Sequence, residues 1–366
     1  MTEALQEIRT LARQFATEQL RPNVERWDHE RAMDRDIVAQ LAELGFFGML
    51  IPEVHGGMEF DAPTYVAALE ELAWGEASVA LLVARSSIVA DLLLRHGTDE
   101  QRRKWLERLA AGAVVACSAT TVSGDDGEDA LRAVRDGDGW ILNGTRSFVM
   151  GGGTADLVLL AASKSADGKE PALLLVPTDC AGYDVLDREA TMGFRALDVS
   201  RVRLDGVRLE AGAAIDSAQA TAREGTDLGR LSMAAIALGI AQAALDHATA
   251  YAAMREQFGQ KLRAFEGIQF KLADMATRVH VTRAVVTAAA SAPTAMSTAI
   301  AKLFASEAAM WVTTQAVQVF GGYGYMRDYP VEKLMRDAKG TEILEGSNEQ
   351  LRAIIARELY HGTVES

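Results

Sequence analysis

Apolar positions along the chain change period twice, and each change marks a change of structure. From Glu3 to about Gly112 they recur three and four apart, the spacing that lines one face of a helix. Leu41, Leu44 and Phe47 run into the turn Ile51-Pro52-Glu53-Val54-His55-Gly56-Gly57, beyond which helices are expected around 65–72, 79–94 and 100–109. From Val114 the period falls to two. Short β-rich runs at 114–120, 131–135, 140–143, 156–162, 171–176 and 201–204 are separated by Asp136-Gly137-Asp138-Gly139, Asn143-Gly144, Asp167-Gly168 and Asp205-Gly206. Strands with no helices between them imply an antiparallel sandwich or barrel. After about Glu224 the helical period returns in longer segments, at 227–256, 263–290, 294–320 and 349–360. One apolar stripe there is Ile268, Leu272, Met275, Ala276 and Val279; another is Ile300, Leu303, Phe304, Ala308 and Trp311. Four such helices pack naturally as a four-helix bundle. The chain therefore reads as an α+β protein with an N-terminal helical domain (1–113), a middle antiparallel β-domain (114–222) and a C-terminal four-helix bundle (223–366).

Composition narrows the function classes. The 366 residues are 49% hydrophobic, enough for a large core and too many for one ordinary domain. A net charge of −14 leaves no electrostatic footprint for nucleic acid. Cys117 and Cys180 suit neither a disulfide framework nor a zinc site and read as buried thiols. The 6 histidines stand singly, without the spacing of a metal site. The first residues lack the apolar core of a signal peptide, and no stretch reads as the run of about 20 apolar residues that spans a membrane. A cytoplasmic protein that does not engage a membrane is expected.

Toward the C-terminus the residues carry a family. Gln318-Val-Phe-Gly-Gly-Tyr-Gly-Tyr325, Asp328-Tyr-Pro-Val-Glu332, Met335-Arg-Asp337 and Ile343-Leu-Glu-Gly-Ser347 resemble the acyl-CoA dehydrogenase flavoproteins. Met254-Arg-Glu-Gln-Phe-Gly259 with Leu272-Ala-Asp-Met275 is a second match. Leu44-Gly-Phe46, Glu70-Glu71-Leu72 and Gly97-Thr-Asp-Glu-Gln101 make a third. The ordered set spans roughly residues 5 to 360. The resemblance implies the same three domains, bound FAD, a homo-oligomer (dimer or dimer of dimers), an acyl thioester substrate, and an electron-transfer flavoprotein or O2 as electron acceptor.

The implied chemistry is oxidation between Cα and Cβ. Removing a weakly acidic α-proton takes a carboxylate made more basic by burial, beside a polarised carbonyl, while FAD accepts the hydride from Cβ. Glu345 matches the family's base; the bland alternative is a helix N-terminal charge. A branch of the family carries its base on the first bundle helix, where this chain has Gly229, leaving Glu345 as the candidate. By the same resemblance Asp227 and Arg230 face the thioester's pantetheine arm, unless they form a simple i,i+3 salt bridge. Leu344 and Gly346 flank the base at the acyl group. FAD contacts fall on Ser118 and Ala119 at the flavin ring, on Phe148 and Met150 in place of the family's Trp-Ile-Thr, and on Ser347 and Glu349 after the base. From a neighbouring subunit, Arg255, Phe258, Gln318, Gly321 and Gly322 would meet the pyrophosphate and adenine. Gly321 and Gly322 equally suit a helix C-cap.

The chain also departs from the pattern. The usual T-E-P-x-A-G-S-D run is Ala119-Thr-Thr-Val-Ser-Gly-Asp-Asp126, without the Glu-Pro pair; the family's lysine is Arg146, and its F-Q pair is Phe265-Glu266. Asp125, Asp126, Glu128 and Asp129 suit a solvated loop; at a pocket mouth they would repel the phosphates of coenzyme A. These changes favour a small acyl group on an acyl carrier protein, as in relatives that serve polyketide extender-unit synthesis. A short or branched acyl-CoA is the alternative, and Ile343-Leu-Glu-Gly-Ser347 has the form of short branched-chain members. An oxidase using O2 and a non-catalytic binder are the remaining rivals; the intact Glu345 speaks against the binder.

Overall fold

The computed structural model describes residues 3–120, 130–164, 171–215 and 226–361. Helices open it: α1 (Glu3–Phe15), α2 (Val24–Glu30), α3 (Arg35–Glu43), α4 (Ala62–Gly75), α5 (Ala77–His96) and α6 (Asp99–Ala110). Side chains cap them where the sequence provides an acceptor. Asp61 accepts from the Thr64 N–H at 2.9 Å ahead of α4, and Thr98 and Gln101 form a capping box ahead of α6.

Strands β1 (Ala116–Ala119), β2 (Arg132–Asp136), β3 (Gly139–Met150), β4 (Leu157–Ser163), β5 (Pro171–Pro177), β6 (Tyr183–Arg188), β7 (Val199–Leu209) and β8 (Ala214–Ile215) form one sheet. Its order is β6-β7-β3-β2-β4-β5-β8, with β1 beside β4. The expectation of a purely antiparallel domain needs correcting. β1 runs parallel to β4, from Ala116 opposite Leu157 to Ala119 opposite Leu160. The β2–β3 hairpin lies between them in sequence and supplies the long connection that a parallel pair needs. The acidic residues Asp125, Asp126, Glu128 and Asp129 lie outside the described residues.

The last part holds α7 (Asp227–Met254), α8 (Glu266–Ser291), α9 (Ala295–Phe320), α10 (Val331–Thr341) and α11 (Asn348–His361). α7 and α9 are the central pair, α8 packs on both, α11 lies on α9, and α4 of the first domain lies on α7. The stripe expected to face inward from α9 does so only in part. Ile300 and Phe304 are 37% and 36% exposed, while Ala301, Ala305, Ala309 and Ala316 take the buried face. Small residues let α7 and α9 approach closely, which turns the larger apolar side chains outward.

α5 and α7 are long and apolar enough, by length and composition, to cross a membrane, which corrects the sequence expectation. Of their apolar stretches, 89% and 83% is buried inside the protein, so the fold itself accounts for their composition. Cys117 is buried, which pushes its thiol up to about 12, whereas Cys180 is only partly buried, contrary to expectation.

Several family-like residues turn out to join the domains. Arg336 donates to Asp28 at 3.0 and 2.8 Å and to the Met192 carbonyl at 3.0 Å, tying three segments together. Asp337 accepts from the Phe194 N–H at 2.6 Å and pairs with Lys333, which also reaches Glu76 at 2.6 Å. Glu70 holds Arg283 across the domains, while Glu70 and Glu71 hold Arg9 at 3.1 and 2.7 Å within the first.

Candidate active site

Glu345 sits in the turn between α10 and α11, with 9% of its surface exposed and a backbone φ of 58°. A non-glycine residue in that left-handed region is strained and persists where its surroundings impose it. The imposing group is Lys302 of α9, which is completely buried. Its ammonium donates to the Glu342 carbonyl at 3.1 Å, the Gly346 carbonyl at 2.7 Å and Asn348 Oδ1 at 3.1 Å. Burial pushes the Lys302 ammonium down to about 8.

The Glu345 carboxylate has two neighbours that fix it. Oε1 accepts a hydrogen bond from Arg85 of α5, whose side chain is itself only 6% exposed. Oε2 fills the space beside Gly229 in the first turn of α7. A methyl at Gly229 would overlap Oε2 and lie 2.7 Å from Cδ. The position identified as the alternative place for a base is thus in contact with Glu345, and only glycine there leaves room for it. Nearby, Tyr65 Oη and Ser232 Oγ share a buried hydrogen bond of 2.8 Å, and burial pushes the phenol up to about 12.

Asp227 and Arg230 lie at the same end of α7 and pair with each other at 2.5 Å, the i,i+3 bridge that the sequence left open. Thr298 of α9 donates to Asp227 at 3.0 Å. Arg230 is buried while Asp227 stays partly exposed. Leu344 is partly buried against the core, and Gly346 takes φ 92° as it turns into α11. Ser347 caps that helix with Gln350, the two exchanging bonds of 2.8 and 3.3 Å, and Glu349 is exposed beyond it.

Ser118 and Ala119 lie on β1, which packs against α5, and Ser118 Oγ is buried without a hydrogen-bond partner. Phe148 has φ 57° at a register shift between β3 and β7, which pushes its ring out to 56% exposure, while Met150 is buried. A buried hydroxyl without a partner and an outward-bulged aromatic are each groups that a ring-shaped polar ligand could engage.

The remaining predicted residues gather at the far end of the bundle. Arg255, Gly321 and Gly322 line a cleft of about 540 Å³ with Tyr251, Phe320 and Tyr323, and the Arg255 guanidinium lies 5.2 Å from the Tyr323 ring centre. Phe258 stands 93% exposed and Gln318 is exposed, its carbonyl accepting from the Gly321 N–H as a C-cap. A methyl at Gly321 or Gly322 would meet nothing within 4 Å, so internal packing does not demand these glycines beyond the φ of 61° at Gly321. The 28 residues of α7 separate this cleft from Glu345 by about 40 Å. Within one chain the two groups cannot serve one cofactor.

Three models of this family's domains match the chain in order. The acyl-CoA dehydrogenase N-terminal domain matches residues 2–113, the middle domain 119–207 and the C-terminal domain 219–360. The chain belongs to the acyl-CoA dehydrogenase family. It is an oxidoreductase acting on CH–CH bonds, with FAD as cofactor. It is 35% identical to the mitochondrial isobutyryl-CoA dehydrogenase of Dictyostelium discoideum, covering 98% of this chain and 90% of that one. Butyryl-CoA dehydrogenase from Megasphaera elsdenii has the same fold, with a TM-score of 0.90, 33% identity and 98% and 99% coverage. A prolyl acyl carrier protein oxidase shares it at 0.87 and 27%, over 98% and 99%. That last likeness is distant, and the weight of similarity lies with relatives named for short or branched acyl-CoA, against the carrier-protein reading.

Sequence reasoning missed two of the site's charges. Arg85 lies in Leu81-Leu82-Val83-Ala84-Arg85 and Lys302 in Ala299-Ile300-Ala301-Lys302-Leu303, each a lone charge in an apolar helical run. That isolation was the available signal, since a charge in a buried helix needs a partner.

Proposed function

We propose that the protein oxidises a short or branched acyl-CoA thioester between Cα and Cβ, with Glu345 as the base that takes the α-proton. The observation that carries this reading is the seat of Glu345: a buried side chain on a left-handed backbone, its turn held by Lys302, its carboxylate bonded to Arg85 and given its space by Gly229. A bound FAD supplies the acceptor for the β-hydride. The Ser118 hydroxyl, the bulged Phe148 ring and buried Met150 would hold its ring end, with Ser347 and Glu349 nearby. Arg255, Phe258, Gln318, Gly321 and Gly322 would hold its phosphate end from a neighbouring subunit, because about 40 Å of α7 separates them from Glu345 in their own chain. The outward Ile300 and Phe304 and the exposed Met254, Phe258, Phe270 and Tyr325 support a homo-oligomer, since apolar surface of this kind marks an interface. Asp227 and Arg230, joined to each other at the mouth of the same end of α7, would brace the pantetheine arm.

The test is anaerobic titration of the FAD-loaded protein with butyryl- and isobutyryl-CoA, and with the same acyl groups on an acyl carrier protein. Loss of flavin absorbance on the CoA thioesters is expected. Glu345→Gln should keep its flavin and lose the bleaching; normal bleaching in that variant overturns the assignment. Bleaching confined to the carrier-protein thioesters would replace CoA by a carrier protein as the substrate's handle. An electron-transfer flavoprotein is the expected acceptor, and oxygen uptake matching turnover would refute it.

A further inference from the structure

We propose that Arg85 receives an oxygen substituent, a hydroxyl or a carboxylate, on the acyl chain of the substrate, and that this exchange releases Glu345 to act. The inference deepens the dehydrogenase reading above and rests on it. Among the described residues Arg85 has one ion-pair partner, and that partner is Glu345. The pair therefore joins a buried cation to the very group that must accept a proton.

Proton abstraction changes the charge of one member only. Once Glu345 holds the α-proton it is neutral, and Arg85 is left as a buried cation with no anion beside it. An arginine keeps its charge under all ordinary conditions, so it cannot relieve this by losing a proton. An unpaired buried charge is costly, so with a plain alkyl substrate the pair opposes the chemistry. An oxygen acceptor on the substrate removes the opposition. It takes the guanidinium as the carboxylate turns to Cα, and its interaction strengthens as the negative charge on Glu345 disappears. Binding that grows toward the transition state is the kind that raises the rate.

A second observation points the same way. Arg85 Nε is buried and has no hydrogen-bond partner, and neither has the next residue's hydroxyl, Ser86 Oγ. Glu345 occupies only Nη1. Arg85 thus retains a buried and unused donor, where most buried polar groups are satisfied. Because Arg85 touches the carboxylate that must touch Cα, the oxygen it reads lies within a few bonds of Cα, on a short chain.

The experiment compares butyryl, 4-hydroxybutyryl and succinyl pantetheine thioesters in stopped-flow flavin reduction, so that the carrier is not a variable. For the wild type, kcat/KM on one oxygenated substrate should exceed that on butyryl by roughly 100-fold or more, the discrimination of a site built to hydrogen-bond a substrate group. Preference for succinyl identifies a carboxylate; preference for 4-hydroxybutyryl identifies a hydroxyl. Arg85→Met should erase the preference by lowering the preferred oxygenated substrate at least 10-fold more than butyryl, and Arg85→Lys should restore part of it. The proposal is overturned if the wild type prefers butyryl, a result that needs no variant. It is equally overturned if Arg85→Met lowers all three substrates by one factor, because Arg85 would then only position the base. Bleaching by butyryl without preference removes this inference and spares the dehydrogenase reading; bleaching neither by these thioesters nor by the CoA and carrier-protein thioesters removes both.

Discussion

Gly229→Ala is the sharpest test of the site's geometry, because it adds one methyl and nothing else. The added carbon would overlap Glu345 Oε2, lie 2.7 Å from its Cδ and 2.9 Å from Thr226 Oγ1. Carbon atoms settle at roughly 3.5–4.0 Å, so the carboxyl group must retreat by about 1 Å. Gly229 cannot retreat instead. It lies in the first turn of α7, where its N–H is bonded to Thr226 Oγ1 at 2.8 Å and the helix is packed between α4 and α9. A misplacement of about 1 Å at a reacting group costs roughly 100-fold in rate, equivalent to about 2.7 kcal/mol in the barrier. Alanine favours the helix by up to about 1 kcal/mol over glycine, which offsets part of the clash, so stability should change little. The assay is single-turnover reduction of bound flavin by the best thioester, with flavin content and melting temperature measured alongside. The expected result is a roughly 100-fold slower reduction in a folded, yellow protein. Reduction within about threefold of wild type would refute the claim that Gly229 reserves the space of the base.

Further outcomes follow from three basic residues. Lys302→Met takes the donor from the Glu342 and Gly346 carbonyls and leaves Asn348 Oδ1 with Ser306 alone, and should cost about 3 kcal/mol, read from denaturant unfolding. In the wild type, reduction should slow as pH rises through about 8, when the Lys302 ammonium, which gives all three of its protons to that turn, loses one. Stability should move the other way between about 8 and 10.5, because the unfolded chain there binds more protons than the folded one; Lys302→Met should abolish both trends. Burial, with Arg21 beside it, holds His247 down at about 4 against an ordinary 6.5. As pH falls through that window the unfolded state takes the proton first, so stability should drop by about 3 kcal/mol, and His247→Gln should flatten the curve in acid unfolding. Arg255→Ala should weaken flavin retention on gel filtration by roughly 10- to 100-fold in affinity while sparing the melting temperature of the apoprotein; full flavin retention would remove Arg255 from the phosphate site.

Periodicity carried the order of the domains because each regime buries a different geometry. It failed on a strand without burial and lost direction on helices buried all round. β6 has no buried face, since all of its side chains are exposed or partly so, and the pattern does not mark it; α5 and α7 are apolar all round, so their stripes have no direction. The stripe Ile300–Phe304 was legible as apolar but its direction was not, because a single chain's pattern does not distinguish an inner face from one that meets a partner. α10 went unread although it carries Arg336 and Asp337, whose partners Asp28 and Phe194 are 308 and 143 residues away.

The site divides along the same line. Glu345 was readable because its neighbours in sequence carry the family's pattern, whereas Arg85 is 260 residues distant and no local spacing connects them. What sequence recorded as two separate facts, a glutamate near the C-terminus and a glycine where another branch has its base, the fold makes one. Gly229 is needed because Glu345 stands against it, and Arg85 becomes informative only once Glu345 is seen to be its sole partner among the described residues. A base alone implies only that a proton is removed. With Glu345 as the proposed base, its bond to a buried arginine bears on the molecule that must break that bond, and so the proposal extends from a reaction class to the acyl group.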